Sequence, residues 1–338
     1  YCQHILEGRL PELIPNTANE PLAASMPITA AIPIGSHMSI PIRLKDGSAY
    51  GMFCCISRKP NETLNARDLE TMRVFADLAT RQINNDVAED RQRAEKRARI
   101  ENVLSSGGFS LVYQPIFDLG QMTPVGYEAL SRFSAEPPRT PDIWFNEAAE
   151  VDMAERLEIA AMALALAKLP DLASDQYLSV NASPATIVTP AFAELFDDKP
   201  LHRILLEITE HAQVDDYAIL LDALEPLRRR GLKLGIDDAG AGYSSLRHIV
   251  QLRPDIVKLD MSLTRDVDTD AARRALVGAL MFYARETSAM VIAEGIETQN
   301  ELDTLKLLGV RKGQGYFLAR PDAALWKPAK AAGLKHTA

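Results

Sequence analysis

Leu69, Met72, Ala76, Ala79 and Ile83 recur at alternating steps of three and four residues. That spacing predicts a helix with one apolar seam, packed on a sheet or on a partner helix. Asn65 stands at the N-cap position, and Asp68 three residues on completes a capping-box-like start. Ahead of it, SIPIRLKDGSAYGMFCCIS (residues 39–57) reads as a hairpin. Two β-prone runs flank KDGS, and an Asp-Gly pair is a strong turn signal. Beyond Val87 the seam gives way to EDRQRAEKRARIEN. Charge this dense predicts a solvated helical linker or a dimeric signalling helix, and the two readings are compatible.

From Ser106 onward the texture changes to short apolar runs ending in polar residues, alternating with helical stretches. In order the runs are SLVYQPIFDL, VGYEALSRF, YLSVNAS, ILLEITE, KLGIDDAG, DIVKLD, MVIAEGIE and GQGYFLA. This order predicts a (β/α)8 barrel. One connection breaks the rule, because only LGQMTPV joins the first two runs. A parallel crossover needs about a dozen residues and a hairpin does not, so the first strand should run antiparallel to the second. The expected fold is α/β: a modified TIM barrel with one antiparallel strand, preceded by a smaller α/β domain and a connecting helix. The boundaries read as 1–85, a helical linker over 86–105, the barrel over 106–325 and a tail over 326–338.

Composition narrows the function classes. At 338 residues the chain exceeds one typical domain, which agrees with two. A net charge of −9 argues against binding a nucleic-acid polymer through a basic surface, but not against an anionic substrate held by metals. Cys2, Cys54 and Cys55 form no CxxC or Cys/His ligand spacing, which fits free thiols in the cytoplasm. No apolar run approaches the ~18 residues of a membrane span, and no signal peptide is evident. The chain opens on Tyr1 rather than Met and reads as a fragment.

The chemistry gathers at the C-terminal ends of the predicted strands: Glu128, Asn181, Glu207, the pair Asp237 and Asp238, Lys258, Glu294 and Gln314. Barrel strand ends converge on one face, where active sites are built. A single carboxylate there is more often a helix N-cap or a surface charge. Asn181 is equally compatible with turn chemistry, and Lys258 with a pair to Asp260. That bland reading must hold separately at seven strands, so one shared site is the better account. Five carboxylates in one mouth repel unless cations neutralise them. Oxygen ligands without cysteine or histidine select hard cations, so two Mg²⁺ or Mn²⁺ ions are expected. Two such ions are the apparatus of phosphoryl-ester hydrolysis.

YQPIFDL, YEALSRF, VNASP, LEITEH, IDDAGAGYSSL, DIVKLD, AEGIET and GQGYFLARP stand in the order of the EAL domains, which hydrolyse cyclic di-GMP, and residues 106–325 resemble that family. The first 85 residues resemble the C-terminal part of a GAF domain, a sensory module that often binds a small ligand and usually dimerises. The resemblance implies that Glu128, Asn181, Glu207 and Asp237 hold one metal, and Asp237, Asp238 and Glu294 the second. Lys258 would position or deprotonate the attacking water, with Gln314 assisting and Glu297 supporting the ligands. Gln114, Leu130 and Arg132 would contact the substrate, Arg132 through a phosphate. Glu210 would anchor the loop after the fifth strand. The product would be linear pGpG, from a homodimer.

The family usually reads Asp-Asp-Phe-Gly-Thr/Ser-Gly where this chain has Asp-Asp-Ala-Gly-Ala-Gly, with Ala239 and Ala241. Loss of the Phe removes an apolar anchor worth roughly 1.5–3 kcal/mol when buried. A catalytically weak or inactive cyclic di-GMP receptor is therefore the alternative reading, although no ligand and no lysine is lost. A different metal-dependent barrel enzyme ranks last, because Gln114, Leu130 and Arg132 would then match by chance.

Overall fold

The computed structural model describes residues 1–209, 214, 216–240 and 244–327, without the side chains of residues 209 and 244–246. The chain divides into two compact units, Tyr1–Glu95 and Lys96–Ala338.

The first unit is built on an antiparallel sheet of β1 (Leu13–Ile14), β2 (Ser36–Arg43) and β3 (Ala49–Ser57), in that order. The predicted hairpin is β2–β3, extended back to Ser36. Its turn closes as Asp-Gly chemistry requires. Gly47 has φ +84, and the Asp46 carboxylate accepts from the Ser48 amide at 2.9 Å and the Ser48 hydroxyl at 2.6 Å. The long helix spans Ala66–Ser106. Asn65 caps it through the Arg67 amide (2.9 Å), and Asp68 accepts from the Asn65 amide (3.0 Å). Met72 and Ala76 of the seam are buried against Ile40, with Leu69, Met38 and Phe53 around them. The seam therefore packs on the sheet.

The second unit is a closed eight-stranded barrel. Its strands are β4 (Phe109–Asp118), β5 (Thr123–Phe133), β6 (Tyr177–Asn181), β7 (Ile204–Thr209), β8 (Lys233–Ala239), β9 (Ile256–Leu259), β10 (Met290–Ala293) and β11 (Lys312–Gly313). β4 runs antiparallel to both of its neighbours, β5 and β11, and every other pair is parallel. The reversed strand follows from a turn tighter than the expected seven residues. The Asp118 carboxylate accepts from the amides of Gly120 (2.9 Å) and Gln121 (2.8 Å), and β5 begins at Thr123.

Side-chain alternation decides where the chemistry goes. One face of the parallel strands (Leu178, Val180, Leu206, Ile208, Leu234, Ile236) packs outward on the helices Ala154–Leu166, Tyr217–Arg229 and Ser244–Leu252. The other face lines the barrel. Its lower layer is apolar, with Ile116, Leu205, Ile256 and Ile292 in mutual contact. Two residues further along β7, β9 and β10, where side chains return to the same face, stand Glu207, Lys258 and Glu294. The charged layer thus stands directly above the apolar floor. No helix among the described residues is long and apolar enough to cross a membrane.

Candidate active site

Lys258 is completely buried, and its ammonium is the hub of the charged layer. Nζ lies 2.7 Å from Glu294 Oε1, 2.9 Å from Glu207 Oε2, 3.0 Å from Asp237 Oδ1 and 3.2 Å from Glu128 Oε2. The Gln314 amide donates to Glu128 Oε2 (2.6 Å) and Glu294 Oε1 (2.7 Å), bridging carboxylates from opposite sides of the closure. Asn181 Nδ2 reaches Glu128 Oε1 at 3.4 Å. Side chains from seven strands thus meet at one place, six of them at or close to a strand end and Glu128 from the middle of β5.

Asp237 and Asp238 use an irregular backbone to share this mouth. Neighbours on a regular strand point to opposite faces. Here the β8–β9 register shifts between Ile236 and Ala239, and Asp238 takes φ +55, a left-handed conformation that Asp tolerates. Oxygens of Asp237, Asp238 and Glu294 consequently lie within 4.8 Å of one another, and so do those of Glu128, Glu207 and Asp237. These are the two carboxylate groups expected to hold the two cations. Ala239, one residue on, is fully buried at the end of β8 in register with Leu259.

Burial and charge shape the titrations. Burial pushes Glu207 up to about 8 against the pull of Lys258. It also raises Asp237, and raises Glu294 well above the usual carboxylate range. Burial acts on Glu128 in the same sense, but Lys258 and the Gln314 amide outweigh it and hold its carboxyl low. Burial alone would lower Lys258. Asp237, Glu128, Glu207 and Glu294 together raise it well above the ordinary lysine value.

The donor set fits hard cations. It is all oxygen, and Asn181 Oδ1, Glu207 Oε1 and Gln314 Oε1 are buried without a protein partner. Beside the cluster opens a cavity of about 630 Å³. Leu130, Arg132, Asn181 and Asp238 line it, with Phe145 and Met162 from the helices Pro141–Glu150 and Ala154–Leu166. Gln114 is buried and sits opposite Glu128 in the β4–β5 register. A reading confined to strand ends misses Phe145 and Met162, which only the cavity reveals.

Glu297 is not drawn into the cluster: its carboxylate pairs with Arg265 at 2.8 Å, and both side chains are nearly half exposed. The buried acid of this loop is Glu301, whose carboxylate accepts the amides of Glu297 (2.9 Å), Thr298 (2.9 Å) and Asp266 (3.1 Å). Its signal in the sequence is the capping-box spacing from Thr298 to Glu301. Glu210 and Ala241 lie outside the described residues.

Comparison with known proteins places this geometry. A model of the EAL domain matches residues 97–321, and a model of the GAF domain matches residues 2–83. A curated cyclic di-GMP phosphodiesterase of Pseudomonas aeruginosa is 31% identical over 230 residues, covering 63% of this chain and 38% of that protein. A probable cyclic di-GMP phosphodiesterase of Escherichia coli K12, PdeD, is 29% identical over 231 residues, covering 64% of this chain and 42% of that protein. The chain thus spans well under half the length of these relatives. Among solved structures, the EAL enzyme Bd1971 bound to cAMP and cyclic di-GMP superposes with a TM-score of 0.64 at 26% identity, covering 80% of this chain and 78% of that one. A manganese and cyclic di-GMP complex of Klebsiella pneumoniae BlrP1 superposes with a TM-score of 0.56 at 26% identity, covering 64% of this chain and 56% of that one.

Proposed function

Because this chain belongs to the EAL domain family, with a GAF domain ahead of the barrel, we propose that it hydrolyses cyclic di-GMP to linear pGpG. The observation that carries this reading is the intact cluster: four carboxylates around one buried lysine, with Asp238 and Asn181 joining them, beside a cavity lined by Leu130 and Arg132. In the reaction, water adds to one phosphorus, one P–O3′ bond breaks, and the 3′ oxygen leaves with a proton. Glu128, Asn181, Glu207 and Asp237 would hold one divalent cation, and Asp237, Asp238 and Glu294 the other. Two Mg²⁺ or Mn²⁺ ions, when bound, would polarise the attacking water and offset the charge that develops on the phosphate.

The remaining roles belong to the protein. Lys258 orients the water through its ammonium, and Gln314 fixes that geometry by tying Glu128 to Glu294. Arg132 pairs with a phosphate through its guanidinium, Leu130 packs on a guanine, and Gln114 contacts the substrate from the reversed strand. Glu210 would anchor the loop that follows the fifth strand of the barrel, β8. The active form is a cytoplasmic homodimer whose GAF domain, with or without a small ligand, adjusts the rate.

The alternative is a receptor that binds cyclic di-GMP without cleaving it, motivated by Ala239. Against it, every expected ligand and the lysine are present. The test is incubation of the purified protein with cyclic di-GMP and Mg²⁺ or Mn²⁺, with products separated by chromatography. Appearance of pGpG supports hydrolysis. Tight binding by folded protein with no product under either metal supports the receptor.

A further inference from the structure

A capping box asks a glutamate for one backbone bond, to the N-cap amide. Glu301 makes that bond to Thr298 and two more, to Glu297 in its own loop and to Asp266, thirty-five residues away in the chain. The segment it holds is Glu294–Thr298, which carries a carboxylate of the cluster. The segment it holds it to is Arg265–Asp266, which follows the short helix Met261–Thr264 after Lys258 on β9.

The two segments are pressed together. Gly295 has φ +64, and a Cβ there would lie 2.6 Å from Met261 Cβ. Ile296, Leu263, Val267, Leu302 and Leu305 share one apolar cluster beneath. On the other flank, the Ile296 amide donates to the Gln314 carbonyl at 3.1 Å, and the Gln314 amide donates to the Ala293 carbonyl at 2.8 Å. The loop bearing Glu294 is therefore fixed to Gln314 on one side by main-chain bonds; on the β9 side the Glu294 amide donates to the Leu259 carbonyl at 3.1 Å, Glu297 pairs with Arg265 near the surface, and Glu301 supplies the buried tie, to Asp266. Burial would raise the Glu301 carboxyl, but the amides of Glu297, Asp266 and Thr298 outweigh it and hold it below the usual range, so the acceptor is ionised.

We propose that Glu301 is a positioning residue that latches the Glu294 loop to the segment after Lys258, and thereby sets Glu294 in place to bind metal. The proposal rests on reading Glu294 as a metal ligand. It assigns the supporting role in this loop to Glu301 rather than to the solvent-facing Glu297.

The experiment titrates Mn²⁺ into the full chain by calorimetry, with melting curves in chelator and steady-state kinetics alongside. The variants are Glu301→Ala, Glu301→Gln and, as control, Asp303→Asn on the exposed face of the same helix. Glu301→Ala should weaken Mn²⁺ binding about 10–100-fold, the usual effect of removing a support behind a metal ligand. Glu301→Gln should fall between it and the wild type, because one oxygen still accepts while the amide NH₂ opposes the remaining donors. Asp303→Asn should bind Mn²⁺ as the wild type does. If Glu301→Ala does not fold, Glu301→Gln carries the test alone. Mn²⁺ binding within twofold of wild type by the folded Glu301 variants, with only a lowered melting point, would reduce Glu301 to a helix cap and overturn the proposal. A wild type that binds Mn²⁺ but yields no pGpG overturns the hydrolysis and leaves the latch readable. A wild type that binds no Mn²⁺ overturns the latch as well.

Discussion

Replacing Lys258 with methionine keeps an unbranched apolar stem as far as the ε carbon and removes the ammonium from among four carboxylates at 2.7–3.2 Å. At such distances and an effective dielectric of ~20, each contact has a gross Coulomb energy of about 5 kcal/mol. Most of that is cancelled by the cost of burying the charges, and measured losses on breaking a buried pair are about 3–5 kcal/mol. The lower end applies here. Glu207, Asp237 and Glu294 already hold protons more tightly than usual, so the cluster relieves the lost charge by protonation. At ~2–4 °C per kcal/mol for a domain of this size, about 3 kcal/mol lowers the barrel's melting point by about 6–12 °C in chelator. With Mn²⁺ present the cations compensate the carboxylates and the melting point should recover. Turnover should not recover, because a group that orients or deprotonates the nucleophile is worth about 10²–10⁴-fold. Differential scanning calorimetry in EDTA and in Mn²⁺, with pGpG formation measured in parallel, reads both effects. An unchanged melting point in EDTA refutes the electrostatic argument, and turnover within tenfold of wild type in Mn²⁺ refutes the catalytic one.

Three further outcomes are expected. Glu207 is raised from 4.5 to about 8, so the folded protein binds its proton more tightly than the unfolded chain does. In chelator the stability contributed by this group is complete below pH ~4.5 and is lost as the pH rises through about 8; a melting point that climbs over that interval contradicts the assignment. Ala239→Phe forces a large side chain into a fully buried position, and should cost about 1–3 kcal/mol, read as a lower midpoint in urea; an unchanged or raised midpoint would show that the position has room. Deleting residues 1–85 should change the oligomeric state in analytical ultracentrifugation or the rate of pGpG formation, and if neither moves, the GAF domain does not regulate the barrel.

Ala239 shows where sequence logic and packing part. As one letter beside a family pattern, it reads as a lost anchor in a loop. In the fold it is the last residue of β8, enclosed on all sides, with its carbonyl accepting the Asp260 amide at 3.3 Å. The ligand-bearing end of the strand is therefore held by its neighbours, whatever the residue at 239 once anchored. The same contrast runs through the barrel. The reversed strand was legible because a connection too short for a crossover permits only a hairpin, an inference that needs no side chains. The convergence of Glu128, Glu207, Lys258 and Glu294 was legible because strand periodicity and barrel closure are both period rules.

What a period rule misses is a break in the period. Asp237 and Asp238 should face opposite sides of β8, and only the left-handed turn at Asp238 brings both to the mouth. Nothing in two adjacent aspartates announces that turn. Glu297 and Glu301 pose the same problem at one remove. Both are acidic, both follow Glu294 within one loop and helix start, and Glu297 is the nearer in sequence. Which of them turns inward depends on where the helix Gln299–Leu307 begins. With Thr298 as the N-cap, Glu301 falls at the third helical position and folds back over the loop, while Glu297 is left before the helix and swings out to Arg265. The capping pair was in the sequence, but its usual meaning is local. Its longer reach, to the amide of Asp266, depends on the β9 and β10 loops lying side by side, which the parallel pairing of these two strands provides. A residue that supports a metal ligand in such a fold is therefore better sought from the helix caps that follow the strands than from the acids nearest the ligand in sequence.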